Sequence, residues 1–193
     1  MKWTFFAVFL LLFSLLAARA ADSILVRIRD YSYDEQIRFL YELVTIYKDT
    51  DFEKSLIYAD YALQIAEINA DRPQMAQMHF LIGTIHYHTG DYEKSLSSSL
   101  KALKMFESLN DKKGIAQALN SLGIVYIKIN NNQSLPTFQR AMEIYKELKD
   151  DAGVIKVLNS IATIFFQNRE YVKALDLYEE IYSLSIQNGY YKM

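Results

Sequence analysis

Three histidines, His79, His86 and His88, are the side chains best suited to hold a metal or move a proton, and they lie close together in the chain. On a helix, His86 and His88 point about 200° apart and cannot share an ion. His79 and His86 share a face but stand two turns, about 10.5 Å, apart by helical rise. Metal ligands must converge on one ion, so no metal is expected and the histidines read as packing residues. Asp150-Asp151 and Glu179-Glu180 are adjacent pairs whose members diverge, which suits solvated helix surfaces better than paired acid–base work. The chain has no cysteine, which removes thiolate nucleophiles, thiolate metal sites, disulfides and a cysteine-linked lipid anchor. Glycine-rich phosphate loops and HExxH are absent as well. Asn132-Gln133-Ser134 matches a glycosylation sequon, a short and weak signal. The expectation is a protein that is not an enzyme, has no catalytic residue and needs no cofactor.

The first twenty residues stand apart from whatever folds. Lys2 supplies a positive start, Trp3 to Ala18 is almost wholly apolar, and Ala18-Arg19-Ala20 is a small-x-small cleavage site. That order reads as a secretory signal peptide over 1–20, shorter than the roughly 20 apolar residues of a membrane span. Cleavage would leave an exported chain, periplasmic or extracellular, with no later membrane insertion. The whole chain carries 21 basic and 23 acidic residues. Without Lys2 and Arg19 the balance is 19 against 23, near −4, which argues against a nucleic-acid partner. With 51% hydrophobic residues, 15 tyrosines and two prolines, the remainder is a packed globular chain.

What positions its side chains is a repeat. Asp51-Phe52-Glu53-Lys54-Ser55-Leu56 returns as Asp91-Tyr92-Glu93-Lys94-Ser95-Leu96 and, blurred, as Glu170-Tyr171-Val172-Lys173-Ala174-Leu175. The aromatics set the period: 92 minus 52 is 40, and 171 minus 92 is 79, close to twice that. A degenerate copy at Asn130 to Leu135 lacks the aromatic, and Pro136 follows, so the helix there should start late. Self-similarity at this period means stacked helix pairs. Breaks at Asp49-Thr50, Asn69 to Pro73, Thr89-Gly90, Asn110 to Gly114, Asn130 to Asn132, Asp150 to Gly153 and Asn168-Arg169 divide residues 34–189 into hairpins of about 34–68, 74–109, 113–149 and 153–187. Residues 21–33 form a lead-in. Ile24, Val26 and Ile28 alternate there, which leaves room for one short strand but suits better a segment covering the first helix. Residues 190–193 read as the opening of a further, truncated helix.

Gly83, Gly123 and Ala162 recur in first helices, and Ser55, Ser95, Ser134 and Ala174 in second helices, where small side chains let two helices approach closely. Together with His79-x2-Ile82-Gly83-x2-His86, Leu119-x2-Leu122-Gly123-x2-Tyr126 and Leu158-x2-Ile161-Ala162-x2-Phe165, this chain resembles the tetratricopeptide repeat family. In the first hairpin Phe39-x2-Glu42-Leu43-x2-Ile46 keeps the spacing without the small residue. The resemblance covers about residues 34–188 and implies an all-α, right-handed superhelical solenoid of about four antiparallel hairpins. Its unit of about 40 residues exceeds the family's usual 34, a longer variety similar to repeats in peptide-sensing bacterial regulators and in exported regions ahead of an output domain.

In that family first helices line a concave surface that holds an extended peptide or protein segment. Aligning the hairpins places Gln77, Thr84 and Tyr87, with Phe80 and His88, on this side, then Gln117, Asn120 and Lys128, with Ile124 and Ile127, and then Lys156, Asn159, Thr163 and Phe166, with Gln167. Leu40, Val44 and Tyr47 fall there in the first hairpin. Asn120 and Asn159 occupy one equivalent place, and a carboxamide both donates and accepts, which suits a peptide backbone. Lys128 and Lys156 could meet a carboxylate. The expected function is a scaffold that binds protein or peptide, the extracytoplasmic sensing or adaptor part of a bacterial regulatory system. The other expectation is self-assembly into a homo-oligomer or longer array through an uncapped end, without a separate ligand.

Overall fold

The computed structural model describes residues 24–129 and 132–189. The expected signal peptide at 1–20 and the expected further helix at 190–193 lie outside those residues. Eight α-helices form four antiparallel hairpins: α1 Tyr33–Tyr47 with α2 Phe52–Ile68, α3 Arg72–His88 with α4 Tyr92–Ser108, α5 Lys112–Lys128 with α6 Ser134–Glu147, and α7 Asp151–Gln167 with α8 Tyr171–Gln187. Each helix packs on its neighbours in sequence, and α3 with α5 and α5 with α7 also touch, so the hairpins stack as a right-handed superhelical solenoid. No strand occurs among the described residues. The lead-in that could have held one is helical over 24–27 and ends in a 3-10 turn at Ile28–Asp30. It lies against α1: Ile28 is fully buried, and Gln36 Nε2 donates to the Ile28 and Tyr31 carbonyls at 3.0 Å.

The turns between helices repeat one device. Ala70, Gly90, Asn110, Lys149 and Arg169 adopt positive φ just past a helix end. The next N–H then reaches back to the last turn, as from Asp71 to the Ala66 carbonyl (2.9 Å) and from Asp150 to the Tyr145 carbonyl (2.9 Å), which satisfies carbonyls that would otherwise be orphaned. That same residue opens the following helix. The carboxylates of Asp51, Asp71, Asp91, Asp111 and Asp150 each accept the backbone N–H three residues on, at 2.9–3.2 Å. Helix stop and helix start are thus compressed into three residues, and consecutive helices have to be antiparallel neighbours.

Small residues set the helix separations. A Cβ on Gly83 would lie 2.6 Å from Ser99 Oγ and 3.1 Å from the Ser99 backbone nitrogen. Ser95 and Ser55, both fully buried, donate through Oγ to the Gly83 and Val44 carbonyls at 2.8 and 3.0 Å. Gly123 leaves its space to the fully buried ring of Phe138, 2.6 Å from where a Cβ would sit.

Two sequence expectations are corrected here. Gly114 and Gly153 are not turn residues. Both lie inside helices, three residues after the caps Asp111 and Asp150, where the rings of Phe106 and Tyr145 from the preceding helix fill the space a side chain would take. The first hairpin is also shifted by one residue. Ser55 bonds the carbonyl of Val44, as Ser95 bonds that of Gly83, so Val44 and not Leu43 stands at the small-residue place. α1 is two residues shorter than α3 while the turn after it is one residue longer, so the first hairpin is one residue short and its small-residue place falls one position later. The irregular third turn delays its helix: α6 begins at Ser134, whereas α2 and α4 begin three residues before the equivalent Ser55 and Ser95. Its cap residue Gln133 makes no side-chain capping bond.

The concave face as candidate functional site

The aspartate caps give each first helix a common origin, since Ser32, Asp71, Asp111 and Asp150 precede α1, α3, α5 and α7. Ser32 belongs to a capping box with Glu35, whose carboxylate accepts both the Ser32 N–H (2.9 Å) and hydroxyl (2.7 Å). Counted from these caps, the sixth residues form the row Arg38, Gln77, Gln117 and Lys156. The ninth form the row Tyr41, Phe80, Asn120 and Asn159. This register removes Leu40 and Val44 from the concave side, because both are fully buried in the core with Ile37 and Met78. Tyr47 packs within its own hairpin, 5.8 Å from the Tyr58 ring and under Lys54 Nζ at 5.3 Å.

The N-terminal halves of α1, α3 and α5 enclose a hollow of about 840 Å³, lined by Asp34, Arg38, Tyr41, Gln74, Gln77, Lys113 and Gln117 over a floor that includes Ile37 and Phe106. Tyr33 closes one edge, its hydroxyl donating to Asp71 Oδ2 at 2.6 Å. Burial, that hydrogen bond and the carboxylate charge hold the phenol well above its usual range. Two smaller hollows, about 190 and 150 Å³, lie toward the C-terminal ends of the first helices. Tyr87 and Ile124 line both. Lys128, Ser160, Thr163 and Gln167 complete one, Thr84, His88 and Ser121 the other.

Gln77 and Gln117 are therefore brought together in the hollow of about 840 Å³, Thr84 and Tyr87 in one smaller hollow, and Tyr87, Lys128 and Thr163 in the other. Lys156 is exposed and lines none of these three hollows. Asn120 and Asn159 share a row, but their amides differ. Asn159 is exposed and spends Nδ2 on the Ile155 carbonyl of its own helix (3.1 Å), while Asn120 Oδ1 is buried without a hydrogen-bond partner among the described residues. Thr84 and Thr163 return their hydroxyls to the Phe80 and Asn159 carbonyls. Phe166 is 58% exposed and meets Tyr171 edge-on at 5.5 Å, and Tyr87 meets Tyr92 at a tilt at 5.9 Å. In the second and fourth hairpins the repeating aromatic thus lies against the end of its own first helix, whereas Phe52 stacks on His88 of the next hairpin.

Sequence reasoning missed Asp34, Arg38, Tyr41, Gln74 and Lys113. The signal for the α1 residues was present in Ser32-x-x-Glu35, which aligns with the aspartate caps and fixes the register.

The histidines are dispersed. Burial pushes His79 and His86 below the usual imidazole range, and His88 stacks on Phe52 with ring centres 6.1 Å apart. No three His, Cys, Asp or Glu side chains among the described residues are grouped to hold an ion. No helix among them is long and apolar enough to cross a membrane.

Similar architectures occur in solved structures. The aspartyl phosphate phosphatase F of Bacillus subtilis superposes with a TM-score of 0.74 at 20% identity, over 82% of this chain and 42% of that one. A Rap protein complexed with competence and sporulation factor gives 0.74 at 21% identity, over 81% and 44%. A signal transduction ATPase with numerous domains and a tetratricopeptide repeat sensor, from Pyrococcus horikoshii, gives 0.70 at 18%, over 85% and 26%. This chain spans less than half the length of each of these three, and at such identities the likeness establishes the fold. Comparison with curated proteins gives no match. The tetratricopeptide repeat profile matches residues 74–134 and 114–187, more than half of the sequence, and the chain belongs to the tetratricopeptide repeat family.

Proposed function

We propose that this protein is a non-enzymatic scaffold whose concave face holds an extended peptide or protein segment. The observation that carries this reading is the hollow of about 840 Å³ across α1, α3 and α5, lined by the half-buried Gln74, Gln77 and Gln117 beside Tyr41. Carboxamides pair with a peptide backbone whatever its side chains, and a tyrosine offers anchoring area at small entropic cost. The Rap structure with a bound factor supports the reading by analogy of fold. A relative bears the name of a phosphatase, but this chain covers 42% of it, so that activity is not carried over. The apolar start and the cleavage site at Ala18-Arg19-Ala20 support export, and with it a role as the extracytoplasmic sensing or adaptor part of a regulatory system. Selection of peptides from a random display library tests the scaffold. Binders should be lost on Gln77→Ala with Gln117→Ala while the melting temperature stays within a few degrees. Binders indifferent to that pair would overturn the groove assignment.

One observation favours a second reading, self-association. Tyr171, Leu175, Tyr178, Tyr182 and Ile186 run along α8 at helical spacing and are 42–60% exposed. The equivalents Leu96, Ser99 and Leu103 on α4 are half-buried or buried beneath the next hairpin. Light scattering over a concentration series tests it: mass should rise with concentration and return to the monomer value in Leu175→Glu.

A further inference from the structure

The helix α8 departs from the other second helices at two places where they agree. Counted along the repeat, the place of Ile186 holds Glu67 on α2, Glu107 on α4 and Lys146 on α6, and the place of Val172 holds Glu53 on α2 and Glu93 on α4. These charged residues are all exposed, although the following hairpin packs against each of their helices. A hairpin stacked on α8 in that manner would therefore leave Val172 and Ile186 in water. Both are more than half exposed, at 74% and 52%, and both adjoin the exposed Tyr171, Leu175, Tyr178 and Tyr182. At about 100° per residue, Ile186 and these four fall within about 80° of one another, with Val172 and Glu179 along one margin. With about 200 Å² for a tyrosine side chain and somewhat less for an aliphatic one, the exposed fractions of the six apolar residues amount to about 600 Å². The largest apolar patch of a monomer is usually about 300–600 Å², so this face is at the upper end.

We propose that α8 pairs with α8 of a second copy of this chain, antiparallel and about a two-fold axis beside Tyr178. The proposal rests on the self-association reading above and adds the contact, its direction and its limit of two copies. The area suffices, because two such faces bury about 1,200 Å², the lower bound for a specific interface. The opposite end of the stack is already covered: Ile28 is fully buried in the first core, and Ile24 and Leu25 of the lead-in pack against the same cluster. Head-to-tail stacking is thereby blocked, and the α8 face is left to meet its like. The order of its side chains suits that pairing in one direction. Tyr171 and Ile186 lie equally far from a centre between Tyr178 and Glu179, and so do Leu175 and Tyr182. Antiparallel helices therefore set a ring of one copy against an aliphatic side chain of the other, large against small, with the two Tyr178 rings beside the axis. Parallel helices would set ring on ring. An interface that uses the same patch on both copies closes at two, and the dimer then carries two concave grooves.

The chain has no cysteine, so single introduced thiols report the geometry. With a short bismaleimide, Tyr178→Cys should crosslink to itself. Tyr171→Cys and Ile186→Cys should each stay single alone and crosslink to one another when mixed, because on antiparallel helices the two copies of either position lie about 22 Å apart. Sedimentation equilibrium up to about 100 μM should reach the mass of two copies and no more. Val172→Glu with Ile186→Glu restores the charge that α2 carries at both places, so the variant should fold and melt like the parent by circular dichroism. It should weaken the dimer at least about tenfold, through the lost burial of two aliphatic side chains on each copy. A monomer throughout that range overturns both this proposal and the self-association reading. A dimer in which Tyr171→Cys crosslinks best to itself, or one indifferent to the double glutamate, overturns the α8 pairing and leaves self-association standing. Mass growing beyond two copies does the same.

Discussion

Replacing Gly153 by alanine isolates the packing device that joins one hairpin to the next. Gly153 lies inside α7 and its backbone is helical, so the position itself needs no glycine. In an open helix the substitution would gain about 1 kcal/mol from propensity. Here the new Cβ would come to 2.2 Å from Tyr145 Cδ1 and 2.4 Å from Cε1. That ring is 4% exposed and belongs to the core shared by α5, α6 and α7, so it cannot move aside without losing other contacts. Overpacking of this kind costs about 1–3 kcal/mol. The net expectation is a destabilisation of about 0–2 kcal/mol. The sharper reading is the sign in a second background. Tyr145→Ala alone should cost about 3–5 kcal/mol. Once the ring is gone, Gly153→Ala should stabilise by up to about 1 kcal/mol. Urea unfolding of the four proteins, with midpoints compared at constant m-value, measures the coupling. If Gly153→Ala stabilises equally in both backgrounds, ring-into-glycine packing does not hold the hairpins together.

Other expectations follow from single contacts. Burial, with the Asp150 charge beside it, pushes the Tyr145 phenol up to about 12. The folded state therefore holds this proton more tightly than the unfolded chain, whose phenols titrate near 10. The resulting stability is complete below about pH 10 and lost between pH 10 and 12, by up to about 3 kcal/mol. Unfolding free energies across that range should fall less steeply in Tyr145→Phe. Asp111→Ala removes the bond to the Gly114 N–H and should cost about 1 kcal/mol by urea midpoint, with no change of fold by circular dichroism. Ser95→Ala deletes a buried 2.8 Å bond to a carbonyl already within a helix ladder, and should cost about 1 kcal/mol. A loss above about 3 kcal/mol would mean that the hydroxyl does more than this bond.

Much of this architecture was legible because it is written locally. The aspartate caps, the positive-φ residues before them and the forty-residue echo of Asp-aromatic-Glu-Lys-Ser-Leu are short-range signals, and each specifies where a helix ends and the next begins. An all-helical stack of hairpins follows from them without any knowledge of distant contacts. The small residues Gly83 and Gly123 were readable for the same reason, since they recur in register.

Only the tertiary structure decided which side chains reach the groove. A helix turns about 100° per residue, so the one-residue shift in the first hairpin buries Leu40 and Val44 and brings Arg38 and Tyr41 to the concave face. The aromatic fingerprint, which begins at Asp51, could not reveal that shift, because the missing residue falls before it, in a shorter α1 and its turn. The roles of Gly114 and Gly153 were hidden similarly. Glycine near a cap reads as a turn, and that Phe106 and Tyr145 fill the missing side chain is a property of two helices packed together. Asn120 and Asn159 look alike in sequence, yet one amide is partly sealed and the other is spent on its own helix. Repetition in a sequence fixes the stacking of like elements, while depth within the stack depends on how neighbouring hairpins pack and remains a fact of three dimensions.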